Sequence, residues 1–104
     1  MNKIIVIPKK KFEVYPEDLK GEFKHEKAIE ACKSLKGDWR LPTIKELLEM
    51  NDYKEGLEIK DLLYWSSNEF NSNAAWAYKF NNSFSTTSHK GNTYRVRPVR
   101  TIKT

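Results

Sequence analysis

Beyond the carboxylates, the side chains best suited to covalent or metal chemistry in this sequence are few. They are one cysteine, Cys32, and two histidines, His25 and His89, with the hydroxyls of Thr86, Thr87 and Ser88 just before the second histidine. A hydrolytic or acyl-transfer site needs a nucleophile and a base that converge. Ser88 and His89 are neighbours in a segment that reads as extended, so their side chains point to opposite faces. His25 is surrounded by Lys24, Glu26 and Lys27, a solvated setting. Neither histidine has a second ligand four residues on, so metal binding is disfavoured. A lone cysteine supplies neither a disulfide framework nor a multi-cysteine zinc site. The expectation is no enzyme, no catalytic residue, no metal and no cofactor.

What remains is surface. Asn68, Asn71, Ser72 and Asn73 form a polar loop around Phe70, and Asn81, Asn82 and Ser83 form another. Ser85, Thr87 and His89 alternate outward along the strand between the second loop and the next turn. Asn, Ser and Thr with an occasional aromatic is the adaptable composition of binding surfaces. Solvated turns account slightly better for any one of these residues, so only the group carries weight. The candidate partner-binding set is Phe70, Asn71, Asn73, Lys79, Asn82, Ser85, Thr87 and His89.

Charge offers a second candidate. The formal net charge is +5, spread unevenly. Residues 1–36 carry nine lysines against six acids, residues 37–64 four bases against seven acids, and residues 65–104 six bases against Glu69 alone. Basic ends around an acidic middle suit internal pairing as well as an external polyanion. The polyanion alternative, a nucleic acid or an acidic polysaccharide, uses Lys79, Lys90, Arg95 and Lys103.

These groups need elements to hold them. Ile4 to Ile7 is β-branched, ends at Pro8 and reads as a first strand. Lys9 to Gly21 has no period and reads as a loop with brief extended pairing around Phe12 and Val14. From His25 to Leu35, Ala28, Ile29, Cys32 and Leu35 make one helical stripe, which Gly37 ends. Cys32 on that stripe reads as a buried small hydrophobe. Thr43 and Glu46 form a capping box for a second helix with Ile44, Leu47, Leu48 and Met50 facing inward, closed by Asn51-Asp52. Tyr64 to Ser67, Trp76 to Phe80 and Phe84 to Ser88 read as strands, with Trp76, Tyr78 and Phe80 on one face as core. Tyr94 to Ile102 is the last strand, interrupted at Pro98. Trp39 fills a gap between helices and sheet, and at least one of Arg40, Arg97 and Arg100 bridges loops as a structural guanidinium.

The length and composition, 104 residues with 38% hydrophobic and 32% charged, suit a single α+β domain over residues 1–104. The apolar runs at Ile4 to Ile7 and Leu62 to Trp65 fall far short of the ~20 residues of a membrane span. No secretory signal fits the amino terminus, which implies a cytoplasmic protein without a membrane partner.

Four blocks in order look familiar: Asp38-Trp39-Arg40-Leu41-Pro42-Thr43 with Glu46-Leu47, then Tyr64-Trp65-Ser66-Ser67, then Ala75-Trp76 with Phe80, then Tyr94-Arg95-Val96-Arg97-Pro98-Val99-Arg100. From about Lys24 to Arg100 the chain resembles the Lcl C-terminal domain family, a branch of the C-type-lectin-like fold related to the formylglycine-generating enzymes. That resemblance implies two helices flanking a small twisted antiparallel sheet, with the first strand (Ile4 to Ile7) paired with the last (Tyr94 to Ile102). The family often has a cysteine in the first helix and another in the closing block. Here Cys32 is present but Pro98 stands at the second position, so that disulfide cannot form. The cysteine pair of the formylglycine-generating relatives is missing. The Glu-Pro-Asn, Gln-Pro-Asp and Trp-Asn-Asp strings of calcium-dependent lectins are absent too, so binding is expected to be calcium-independent. C-type-lectin-like folds generally bind through their loop-rich half. The reading is a non-catalytic recognition module for a protein partner, for example a small phage or mobile-element inhibitor of a host component.

Overall fold

The computed structural model describes residues 5–7 and 12–102. It folds them into an α+β arrangement of two three-stranded antiparallel sheets and two α-helices, the second continued by a 3-10 turn at Asn51–Tyr53. Ile4, Pro8, the Lys9-Lys10-Lys11 run and Lys103 lie outside the described residues.

The first sheet holds β1 (Ile5–Ile7), β2 (Phe12–Val14) and β6 (Val99–Thr101) in the order β1-β2-β6. The first and last strands therefore do not pair with each other. β2 lies between them, with Ile7 opposite Phe12 and Val14 opposite Val99. Phe12 and Val14 are both fully buried, which is why so short a segment takes the central place.

The second sheet holds β3 (Leu63–Glu69), β4 (Ala74–Lys79) and β5 (Phe84–His89) in that order. Both faces of β4 contribute to the core. Ala75 and Ala77 join Trp65, Leu41 and Val96 beneath α1 (His25–Lys33), where Ala28 and Cys32 pack. Tyr78, with Tyr64 and Phe80, faces Leu47 and Met50 of α2 (Ile44–Met50) and the buried side chains of the first sheet. Small residues on one face and aromatics on the other let a helix approach on each side. Leu48 turns away from this core and is 47% exposed, against the inward reading of its helix.

α2 starts as its sequence indicates. The Thr43 hydroxyl accepts the Glu46 N–H at 3.0 Å, and the Glu46 carboxylate accepts the Thr43 N–H at 2.9 Å. The same carboxylate takes both terminal nitrogens of Arg40, at 2.7 and 2.8 Å. The closing segment is less regular than one continuous strand. Val99 exchanges two 2.9 Å bonds with Arg40, while Arg95 bonds Leu63 and Trp65 of β3. Residues 94–99 thus run from the second sheet to the first and fasten them together.

Arg97 lies within that crossing and is only 2% exposed. Its Nε donates to Tyr15 O at 2.8 Å, Nη1 to Asp18 Oδ1 at 2.9 Å, and Nη2 to Pro16 O and Leu57 O. It is the loop-bridging guanidinium. Trp39 packs elsewhere than expected, edge-on against Tyr15 and beneath Arg100, whose guanidinium sits 4.3 Å from the ring centre. Gly37, at φ 117°, leaves room for Arg100 Nη1, which would meet an added Cβ at 2.7 Å. His25 is also corrected. It is buried, with Nε2 donating to Ser66 O at 2.8 Å and its ring edge-on to Trp65, because at the helix start it faces the sheet while Lys24, Glu26 and Lys27 stay in solvent.

Two outcomes follow from these environments. Burial pushes the Glu46 carboxyl up, but Arg40 and the Thr43 amide and hydroxyl outweigh it, and its pKa ends below the ordinary value. The stabilisation is therefore complete above the unfolded pKa and fades as pH falls through the folded one. Glu46→Gln is expected to cost about 2 kcal/mol in urea unfolding near neutral pH, with the gap to wild type closing as the solution is acidified. Burial pushes the Cys32 thiol up to about 12. Alkylation of Cys32 at mildly alkaline pH is expected to proceed at the rate of unfolding, whereas fast labelling of the native protein would contradict the burial.

Candidate functional site

The loop joining β3 and β4 is a built turn. Phe70 N–H and Asn71 N–H both donate to Ala74 O, at 2.9 and 3.2 Å. Asn71 Oδ1 accepts the N–H groups of Asn73 and Ala74, at 2.8 and 2.9 Å. Lys90 braces the same loop, its N–H on Asn73 O at 2.8 Å and its ammonium on Glu69, which holds the Glu69 carboxyl below its usual range. Asn71 thus acts on the backbone of its own turn, and its oxygen is not free for a partner.

This turn presents Phe70, 59% exposed, with its ring edge-on to the half-buried Trp76 at 6.1 Å between centres and 85° between planes. Trp76 pairs across the sheet with Thr87, and Ala74 with His89. Cross-strand partners share a face, so Trp76, Thr87 and His89 stand on one side of the sheet. The result is an aromatic pair on a fixed turn, edged by a threonine and an exposed imidazole. An aromatic already held in one conformation loses little entropy on binding, and such residues dominate protein interfaces.

The sequence-derived set divides on this frame. Phe70, Asn71, Asn73, Thr87 and His89 gather at one end of the β4–β5 hairpin. Asn82 sits in the turn at the other end, about 20 Å away at roughly 3.3 Å per residue, and Ser85 lies towards it on the Thr87 face. Lys79 is not part of the same surface. It pairs with Phe84 on the opposite face and forms an ion pair with Asp61 at 3.7 Å. Trp76 is the residue that sequence reading assigned to the core. Its signal was position, because it begins the aromatic series next to the loop, beyond the buried Tyr78 and Phe80.

The basic set is spread out and internally paired. Lys90 holds Glu69, Lys79 holds Asp61, and Arg95 Nε lies 3.3 Å from Asp18 Oδ2, near enough for an ion pair but not aligned for a hydrogen bond. Arg95 and Arg97 border a cleft of about 620 Å³ between residues 15–21 and the Leu57 to Lys60 turn, and both are engaged by Asp18. Asp18, which no sequence pattern picked out, is the acid opposite the arginine-rich closing block. Among the described residues no group of three or more His, Cys, Asp or Glu side chains is placed to hold a metal ion.

The family model described as the Lcl C-terminal domain matches residues 9–100. No curated protein matches the chain.

Asn71→Ala removes two hydrogen bonds to backbone N–H groups and is expected to cost about 1–2 kcal/mol locally. Hydrogen exchange should show the Asn73 and Ala74 amides losing protection while the buried β3 amides keep theirs. Unchanged exchange at both positions would mean the turn stands without its asparagine.

Proposed function

The chain belongs to the Lcl C-terminal domain family, and from that premise we propose that it is a non-catalytic recognition module for a protein partner. The observation that carries this reading is the Phe70–Trp76 pair. A large exposed aromatic stands edge-on to a second ring and is carried by a hydrogen-bonded turn, at a surface whose neighbours are uncharged apart from the braced Lys90–Glu69 pair. Nothing in the packing of the core requires Phe70 to be there. Its place suits a partner with an apolar patch rimmed by polar groups that Thr87, His89 and Asn73 can meet.

The protein reading is favoured over a polyanion because Lys79, Lys90 and Arg95 each face a carboxylate of this chain. A phosphate or sulfate would have to compete with those carboxylates at three separated places. The finer reading of the scaffold as C-type-lectin-like draws support from the first sheet, which brings β1 and β6 together around β2, and from the loop-bearing second sheet. In that reading the loops form the binding end and the first sheet closes the domain.

The test is affinity capture from host extract, with the wild type and a Phe70→Ala/Thr87→Arg variant that leaves the core intact. A specific protein retained by the wild type and lost by the equally stable variant is the expected result. Equal capture by both, or capture that disappears with moderate salt and with added nucleic acid or heparin, would overturn it.

A further inference from the structure

The backbone hydrogen bonds of the second sheet can be followed strand by strand. Arg95 O accepts the Trp65 N–H and Arg95 N–H donates to Leu63 O, both at 3.0 Å, on the outer edge of β3. Tyr64 therefore directs its backbone groups to β4, where its partner is Tyr78. By the same alternation Ala75, Ala77 and Lys79 turn to β5 and meet Ser88, Thr86 and Phe84. The 2.8 Å bond from Lys90 N–H to Asn73 O has the same phase. Ser85 and Thr87 are left with N–H and C=O pointing away from the sheet.

Among the described residues no backbone group bonds Ser85 or Thr87 on that outer edge, although Thr87 O also accepts the Thr86 hydroxyl at 3.2 Å and the Asn92 N–H closes on His89 O at 3.0 Å. Two other strand edges are covered, that of β3 by Arg95 and that of β6 by Arg40. β5 carries none of the usual protections. Phe84 to His89 contains no proline and no lysine, and its register with β4 is unbroken over six pairs. The lysines near its two ends are balanced by Asp61 and Glu69, so a second copy of a basic chain meets no unbalanced lysine there. Phe84, 50% exposed, stands at the start of the strand.

We propose that β5 is the two-fold interface of a homodimer in which two copies join their second sheets, antiparallel, into one six-stranded sheet. A two-fold axis normal to the sheet keeps like faces on the same side. Ser85 and Thr87 have both outward groups to exchange, whereas His89 O is taken by the Asn92 N–H, and the register that uses both residues sets Ser85 against Thr87 of the second copy. That gives four N–H···O bonds. Thr86 then faces its own copy across the axis, and Phe84 lies over Ser88 of the second copy. Strand pairing of this length buries less than the ~1,200–2,000 Å² of stable complexes, so the dimer is concentration-dependent. Both Phe70–Trp76 surfaces come to lie on one face of the joined sheet, so the proposed partner site is displayed twice.

Sedimentation equilibrium of the purified chain, from low micromolar to near-millimolar concentration, tests this without any partner. The wild type is expected to pass from monomer to dimer. Thr87→Pro removes an outward N–H and no bond to β4, and Ser85→Lys places a charge on the edge. Both are expected to weaken association by an order of magnitude or more. A wild type that stays monomeric throughout, including one that binds an extended peptide at β5 instead, overturns the proposal. So does a dimer that Ser85→Lys leaves intact at unchanged thermal stability. If Thr87→Pro fails to fold, Ser85→Lys alone decides between dimer and monomer. Partner capture by Phe70 variants is read separately, so failure of one reading does not decide the other.

Discussion

Arg97 and Asp18 meet where three remote stretches of the chain come together. The guanidinium takes the carbonyls of Tyr15, Pro16 and Leu57 as well as the Asp18 carboxylate. The other Asp18 oxygen accepts the Tyr64 hydroxyl at 2.7 Å, and that hydroxyl accepts Lys60 N–H at 3.0 Å. Burial first, and then Asp18, push the Tyr64 hydroxyl pKa well above its ordinary value, so it stays a donor. A buried charge is costly unless its partners are all in place, and here they are spread over 82 residues of sequence. The cluster can therefore form only when the Tyr15 to Asp18 segment, the start of β3 and the closing crossing are all in register. It gives the fold a condition that apolar packing alone does not impose.

From that cluster the rest follows outward. The crossing from Tyr94 to Val99 fixes β3 by its outer edge and β6 by its register, so the two sheets are held at one relative position. α2 is placed from both sides, by its capping box with Arg40 and by Asn68 Oδ1, which accepts the Ile44 N–H at 2.7 Å. With both faces of β4 buried, the outer hairpin end is the part of the sheet left for recognition. Phe70 and Trp76 stand there on a turn whose hydrogen bonds are satisfied internally. The scaffold is fixed by charge and packing deep inside, and the contact surface is nearly free of uncompensated charge.

Local signals were legible in the sequence and non-local ones were not. Thr43 and Glu46 are three residues apart, so their box could be read from the chain. The stripe of Ala28 and Cys32 was likewise readable, as were the β4–β5 hairpin and the polar loops. Brief extended pairing around Phe12 and Val14 was readable too, but not the central place of β2, which it owes to Val99 and to the Glu13–Arg100 ion pair. The direct pairing of first and last strands was what the family resemblance implied, and it is β2 that stands between them. His25 looked solvated because its sequence neighbours are charged, although its own face meets Trp65. In the candidate site, Phe70 was picked out by loop composition, and Thr87 and His89 by strand alternation. Lys79 was misplaced because the strand alternation was not carried across to it, and Trp76 was overlooked because aromatic spacing alone does not tell where a core ends.

The most direct measurement of what joins the two sheets is a double-mutant cycle on Asp18→Asn and Arg97→Met by urea unfolding. Each single change leaves a buried charge without its counter-charge, and together they remove both charges. Coupling of about 2 kcal/mol or more is expected, with the double variant far less destabilised than the sum of the singles. Strictly additive losses would contradict a central role for the pair, since the two residues would then contribute independently and the joining of the sheets would have another cause.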